Sequence, residues 1–309
     1  MIETESVPCG LCGETDSRPF NRLREWSLVQ CRACNGVFLN PRPTRAALTR
    51  LYSQEYFTEK RLQHDHRASV VKAEVALRAD PVAQLTAEAG HVGRWLDIGC
   101  ASGYLLAAAR RAGWHVQGVE ISEWAAQFAS VELGLTVFCG TLEGFAEDDH
   151  VGEFDLVTAM AYLEHSPSPP EDIRLIRRML LPGGVVAIRV PNLGSFDRLW
   201  HGDRWRGWDP PFHLFHFTVR RLRELLEEEG LAVYRVHREF WNPLVHIREW
   251  RLGEGLRADH PYEGRDRLQS TMSLGRGRSA GARGLKSGVR ALLGPILTGR
   301  DMVLYARKT

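Results

Sequence analysis

The sequence of 309 residues predicts an α/β protein, a doubly wound sheet preceded by a small cysteine-rich module. Three observations carry that expectation. Apolar strand-like runs alternate with helical runs between residues 94 and 238. Within them, Leu96-Asp97-Ile98-Gly99-Cys100-Ala101-Ser102-Gly103-Tyr104 leads to Gly118-Val119-Glu120, a pattern of strand, glycine turn, helix and a second strand ending in a carboxylate. Ahead of both stand two C-x-x-C pairs, Cys9/Cys12 and Cys31/Cys34, with 18 residues between them.

The elements follow in order. Residues 1–43 hold the four cysteines, and that gap lies within the about 15–20 residues usual for a four-cysteine zinc site. Tetrahedral Zn2+ takes four soft ligands, and each C-x-x-C turn offers two. Glycines at 10, 13 and 36 suit the tight knuckles around such ligands. A redox dithiol or a pair of disulfides is the competing reading, disfavoured in a reducing compartment. A module of about 35 residues holds no core without a staple, so its folding and metal binding are expected to be coupled. Cys100 and Cys139 fall in apolar strand contexts and read as inert buried thiols.

Residues 44–90 read as helices entering the main domain, from Thr44 to Tyr56 and from Asp80 to Ala89. Strands are expected at 94–98, 115–120, 136–140, 154–160, 184–190 and 231–238, with helices at 103–112, 123–133, 170–181 and 218–229. A late strand falls at 301–306. The main domain thus covers 91–309 and carries an insertion at 241–300. In that insertion Trp241 to Leu256 reads as helical, 257–284 as an Arg/Gly/Ser-rich loop, and Leu285 to Leu297 as an amphipathic helix.

Composition sets limits. The apolar fraction of 44% is that of a globular protein with a sizeable core, and a formal charge of +2 gives no global case for nucleic-acid or membrane binding. No apolar run approaches the about 18 residues of a spanning helix. The acidic start, Met1 to Glu5, lacks an apolar signal core, which points to a cytoplasmic protein.

Glu120 lies 21 positions after Gly99, where an acidic side chain meets ribose hydroxyls in nucleotide-binding α/β folds. The turn is not the dinucleotide G-x-G-x-x-G, because Ala101 stands at its middle position. The pattern D-x-G-x-x-x-G from Asp97 to Gly103 instead resembles motif I of class I S-adenosylmethionine-dependent methyltransferases, whose usual middle residue is glycine. Phe154-Asp155-Leu156-Val157, Leu163-Glu164-His165, Leu180-Leu181-Pro182-Gly183-Gly184 and Arg189-Val190-Pro191-Asn192 resemble later segments of that family in the right order. The resemblance spans roughly residues 90–240 and implies a seven-stranded Rossmann-like sheet with the late strand antiparallel. It further implies that Gly99, Ala101 and Gly103 line the amino-acid part of S-adenosylmethionine and that Asp97 orients its ammonium group. By the same likeness Glu120 accepts the ribose hydroxyls, Ile121 packs on adenine, and Thr141 and Leu142 frame the adenine edge. For Asp97 and Glu120 the plainer reading is a turn or helix cap.

The amino-terminal module, with Asn40-Pro41-Arg42-Pro43 leading into Leu51 to Phe57, resembles a zinc-ribbon subgroup of these enzymes found around sugar and secondary-metabolite pathways. A substrate-facing lid and a structural cap both fit it.

Acceptor residues are expected after the fourth strand. Met160-Ala161-Tyr162-Leu163 replaces the Asn-Pro-Pro-Tyr motif of enzymes that methylate exocyclic or amide nitrogens, which counts against that chemistry. His165 is a candidate base because imidazole titrates near neutrality, with a scaffold role for Glu164-His165 as the alternative. Phe196, Trp200, His201, Trp205, Trp208, Phe212, His213, Phe215, His216 and Phe217 either wall an acceptor pocket, with His213 or His216 as base, or pack a long loop. No second metal site is indicated, since His213-x-x-His216 alone is weak.

The favoured expectation is methyl transfer to a small molecule: a sugar, a glycan precursor or a secondary metabolite. Sugar C-methyltransferases related to this subgroup carry a further carboxy-terminal domain that a chain ending at Thr309 lacks, so O-, N- and C-methylation all stay open. The alternatives are an RNA methyltransferase gripping phosphates with the zinc ribbon and the basic loop at 276–290, and a non-catalytic scaffold that retains the cofactor site.

Overall fold

The computed structural model describes residues 2–52, 79–148, 150–240 and 298–309. The amino-terminal module contains β1 (Thr4–Glu5), β2 (Ser17–Leu23), β3 (Trp26–Cys31), β4 (Val37–Leu39) and β5 (Arg42–Pro43). Thr44 then caps α1 (Arg45–Leu51), its hydroxyl accepting from the Ala47 amide at 3.3 Å. The main domain runs α2 (Ala79–Ala89), β6 (Arg94–Ile98), α3 (Tyr104–Arg111), β7 (His115–Glu120), α4 (Glu123–Leu133), β8 (Val137–Cys139), α5 (Leu142–Phe145) and β9 (Phe154–Met160). It continues through α6 (Pro169–Met179), β10 (Leu180–Pro191), α7 (Phe196–His201), β11 (Phe215–His216), α8 (Val219–Glu228), β12 (Leu231–Phe240) and β13 (Thr298–Lys308).

Seven strands form one mixed sheet in the order β12-β13-β10-β9-β6-β7-β8. The strands from β10 to β8 are parallel neighbours, while β13 runs antiparallel between β10 and β12. Central β6 is buried on both faces at Trp95, Leu96 and Ile98, as a sheet covered by helices on each side requires. The covering helices show their signals in sequence. α6 starts on Pro169-Pro170 with Glu171 and Asp172 in its first turn and ends on Arg177 and Arg178, matching the helix dipole. α8 buries Leu222, Leu225 and Leu226 on one stripe.

The smaller sheet, β11-β4-β3-β2, ties the module to the domain. β11 comes from the segment after β10 and pairs Phe215 with Phe38 and His216 with Val37. The Leu39 amide donates to the Leu214 carbonyl at 2.9 Å, extending that ladder. One apolar core is continuous across the join, holding Cys9, Leu11 and Phe38 together with Ile98, Val157 and Phe217. The module is therefore not a bead on a string.

Several boundaries differ from expectation. The helix expected to 181 stops at Met179, because Leu180 already pairs with Phe154 and the strand then shifts register before Val185. The last strand begins at Thr298, inside the expected insertion. Cys100 is buried, whereas Cys139 is exposed at the sheet edge, so only the first is the sequestered thiol expected. The expected helices at 53–56, 241–256 and 285–297, and the basic loop at 257–284, lie outside the described residues.

Candidate active site

The glycine turn closes the carboxyl end of β6. Gly99 and Gly103 adopt φ of +68° and +74°, and Ala101 between them adopts +49°. A side chain costs roughly 1 kcal/mol or more in that left-handed region, which accounts for the glycine usual at the middle position. A Cβ on Gly103 would lie 2.7 Å from Leu135 Cδ1, so this glycine also sets how closely the loop packs on α4. The loop is pinned by the Gly99 and Cys100 amides, which both donate to the Val119 carbonyl. α3 starts directly after Gly103 with no side-chain cap, leaving its first-turn amides for an anion.

Glu120 ends β7 and is 5% exposed. Its Oε2 accepts from the Ala101 amide at 2.8 Å and its Oε1 from the Ser122 amide at 2.9 Å. Burial pushes its pKa up, and these backbone hydrogen bonds pull it back. Each oxygen keeps a second lone pair for a further donor. Turn-capping thus leaves this carboxylate able to accept from a further donor. Buried Asp97 accepts from Thr158 Oγ1 at 2.5 Å, and Thr158 in turn accepts from Trp95 Nε1 at 2.8 Å. Ile121 is 37% exposed beside Glu120, an open apolar surface at the strand end. Thr141 caps α5 by accepting from the Gly144 amide, and the Leu142 side chain is buried in the core.

The second half of the site follows β9. Tyr162 packs on the glycine turn, its Cδ2 3.0 Å from where a Cβ of Gly99 would stand. One 3-10 turn later come Glu164 and His165. The Leu214 amide donates to the Glu164 carbonyl at 2.7 Å, bringing the segment around β11 against this turn. His165 Nδ1 lies 3.0 Å from the Phe212 carbonyl and 2.8 Å from Tyr52 Oη. His213 Nδ1 lies 2.9 Å from the Gly207 carbonyl, and the two imidazole rings meet edge-to-face at 4.7 Å. A carbonyl only accepts, so His213 donates from Nδ1 to Gly207, while its Nε2 faces Asp209 Oδ2 at 3.8 Å; at His165 Nδ1 the Phe212 carbonyl and the Tyr52 hydroxyl share one ring nitrogen. Burial pushes the Glu164 carboxyl up to about 8. It pushes the His216 imidazole down, and neither nitrogen of that ring has a hydrogen-bond partner among the described residues.

Structure brings His165 and His213 into contact and leaves His216 beyond them, 6.3 Å from His213 between ring centres. Trp205, Trp208, Phe212, Phe215 and Phe217 are buried core, and Trp200 is 57% exposed. Two partners were not singled out from sequence, Tyr52 and Thr158. A hydroxyl inside the apolar strand Leu156-Val157-Thr158-Ala159 is a visible anomaly, whereas nothing local marks Tyr52.

In the amino-terminal module, Cys9 and Cys34 sulfurs stand 3.6 Å apart, as do those of Cys12 and Cys31, and all four lie within 4.8 Å of one another. Disulfide sulfurs lie at about 2.05 Å, and four sulfurs at about 2.3 Å from one tetrahedral ion are separated by about 3.8 Å. The four thiols are free and suit such an ion. Without an ion the thiols share protons unevenly: hydrogen bonding between Cys9 and Cys34 pulls the Cys34 thiol down to about 5 and pushes Cys9 up, and burial pushes Cys12 up to about 11.

A family model described as a methyltransferase domain matches residues 66–236, more than half of the chain. The chain belongs to this family and is an S-adenosylmethionine-dependent methyltransferase. It is 34% identical over 185 residues to a ubiquinone biosynthesis O-methyltransferase of Marinobacter nauticus, covering 51% of this chain and 78% of that one. Against the enzyme of the same name from Aromatoleum aromaticum it is 38% identical over 104 residues, covering 32% of this chain and 44% of the relative. With that relative the match thus spans less than half its length. The fold is shared with a S-adenosylmethionine-dependent methyltransferase from Archaeoglobus fulgidus, with a TM-score of 0.51 at 19% identity over 76% of this chain and 94% of that one.

Proposed function

We propose that this enzyme transfers a methyl group from S-adenosylmethionine to a hydroxyl oxygen of a small molecule. The observation that carries the reading is the convergence of His165 and His213 beside Tyr162, whose ring lies against the glycine turn. Methyl transfer is an in-line displacement, and a hydroxyl needs its proton withdrawn as the new C–O bond forms. An imidazole beside the acceptor serves that need, and a thiol, which ionises more readily than a hydroxyl, has less use for it. The name shared by the relatives, O-methyltransferase, supports the same acceptor atom.

In this reading the α3 amino terminus receives the cofactor carboxylate, Asp97 its ammonium, and Glu120 its ribose, with Ile121 against adenine and the Gly99, Ala101 and Gly103 backbone along the methionine chain. Thr141 and the Leu142 backbone border the adenine edge. Cys9, Cys12, Cys31 and Cys34 hold a structural Zn2+, and through β4 and β11 that module braces the histidine segment.

The test is transfer from methyl-labelled S-adenosylmethionine into a size-fractionated extract of the source cells, with and without ribonuclease. Label in a low-mass, ribonuclease-resistant product that carries a methyl ether supports the reading. Label on nitrogen or carbon, or in large ribonuclease-sensitive material, sinks it.

A further inference from the structure

The histidine pair belongs to a larger constellation. One ligand-capable atom from each of Glu164, His165 and His213 lies within 4.8 Å of the other two. Glu164 follows β9, His213 precedes β11, and the Leu214 amide bond to the Glu164 carbonyl holds the two segments together. The set is assembled across 49 positions that no local motif spans, so nothing in the sequence alone indicates it.

Two further observations point to a cation rather than to a packed polar cluster. Glu164 is 1% exposed, and its Oε2 has no hydrogen-bond partner among the described residues. A carboxylate oxygen left so in a protein interior is costly, and a metal ion satisfies it without any hydrogen bond. His213 Nδ1 donates to the Gly207 carbonyl and its Nε2 faces Asp209 Oδ2 at 3.8 Å, which adds a second carboxylate beside the cluster, while His165 Nδ1 contacts the Phe212 carbonyl and Tyr52 Oη. Partners of this kind orient an imidazole ring as the outer partners of metal-bound histidines do.

We propose that Glu164, His165 and His213 bind a divalent transition cation that takes the acceptor hydroxyl as a further ligand. Two imidazoles and one carboxylate suit Mn2+, Fe2+, Co2+ or Zn2+ and leave positions open for a substrate oxygen. Coordination occupies the imidazoles and so takes the place of direct proton withdrawal by them: it acidifies the hydroxyl, whose proton passes to water. The resulting oxyanion attacks the sulfonium methyl: the C–O bond forms, the C–S bond breaks with its electron pair on sulfur, and a neutral thioether leaves. This inference rests on the hydroxyl-acceptor reading for its chemistry, but the ion-binding half stands apart from it. The cysteine cluster is a different site, with soft ligands suited to Zn2+.

Mn2+ is the probe, since it discriminates against thiolates and is read by electron paramagnetic resonance. Full-length protein, with its cysteine cluster loaded with Zn2+, is titrated with Mn2+, and methyl transfer to hydroxyl acceptors is followed in parallel. The expected result is one saturable Mn2+ per chain, weakened at least 10-fold in Glu164→Gln and in His213→Asn. Retained S-adenosylmethionine binding shows that the variants fold, and the wild-type titration needs no variant. The proposal is overturned by the absence of saturable binding of Mn2+ or Co2+ below about 1 mM. Binding that both folded variants leave unchanged overturns it too. O-methylation that runs at full rate in the metal-free protein removes the cation while keeping the hydroxyl reading. A bound ion in an enzyme that methylates only nitrogen or carbon keeps the ion and removes the hydroxyl reading.

Discussion

The two halves of the site are built in opposite ways. The proposed cofactor half is local: Asp97, the glycine turn and Glu120 lie in one strand-helix-strand unit, and backbone amides do most of the holding. The proposed acceptor half is long-range: Tyr52, the Glu164-His165 turn and His213 come from three segments, and β11 hangs it on the sheet that carries the four-cysteine cluster. A local site survives damage elsewhere in the fold, whereas a long-range one inherits every weakness of its supports. The contrast separates two failures that activity alone would merge.

The largest effect is expected from breaking the four-cysteine cluster of the amino-terminal module, where we propose a structural Zn2+. Cys31 is fully buried at the end of β3, whose neighbour β4 carries the ladder to β11. A structural zinc contributes on the order of 10 kcal/mol to so small a module, so Cys31→Ser or chelation should release it. Acceptor kcat/KM is expected to fall more than about 100-fold, while the cofactor Kd moves less than about 3-fold. Calorimetry of cofactor binding beside steady-state kinetics decides the matter. A parallel loss of both quantities would erase the distinction between the halves.

Asp172 sits where the halves meet, near the Tyr162 and Ser166 side chains, and its Oδ2 has no hydrogen-bond partner among the described residues. Burial raises its carboxyl from 3.8 to about 6. The folded protein therefore holds this proton more tightly than the unfolded chain. Its stabilising share is complete below about pH 4 and is lost as pH rises through about 6. Asp172→Asn stays neutral throughout, so the variant should gain on the wild type by up to about 3 kcal/mol between pH 4 and pH 7. Urea denaturation at several pH values reads the gap, and a gap that does not change with pH would reject the assignment.

A smaller effect is expected at Glu120. Both of its oxygens accept from backbone amides, so Glu120→Gln turns one acceptor into a donor facing an N–H. That conflict costs about 1–3 kcal/mol and should weaken S-adenosylmethionine binding about 10- to 100-fold. Acceptor KM at saturating cofactor should stay within about 2-fold. Undiminished cofactor affinity would remove Glu120 from the site.

The same contrast explains what could be read in advance. Strand positions, the glycine turn and the cysteine pairs were legible because each depends on short-range pattern: an apolar run, a carboxylate at the end of the next strand, two thiols per knuckle. The acceptor half was legible only as residue types. His165, His213 and His216 could be named, but their separation into a touching pair and a buried outlier depends on β11 adding to β4, which no periodicity encodes. Tyr52 was invisible for the same reason. Cys139 was misread because a strand at the edge of the sheet exposes what a central strand would bury.

Ala101 offers the finest test, because it is the one residue of the cofactor half whose side chain works against its backbone. Its φ of +49° costs an L-residue roughly 1 kcal/mol or more, whereas glycine adopts it freely. Glycine also gains entropy in the unfolded chain, which offsets part of that relief. Ala101→Gly should therefore stabilise the protein by less than about 1 kcal/mol, a rise in Tm of a degree or two. If the loop is preformed, as the amide bonds to Val119 and Glu120 imply, cofactor affinity should hardly change. A clear loss of affinity would mean that the alanine methyl stiffens a loop that otherwise samples other shapes, and the cofactor half would then owe its order to a side chain rather than to its backbone.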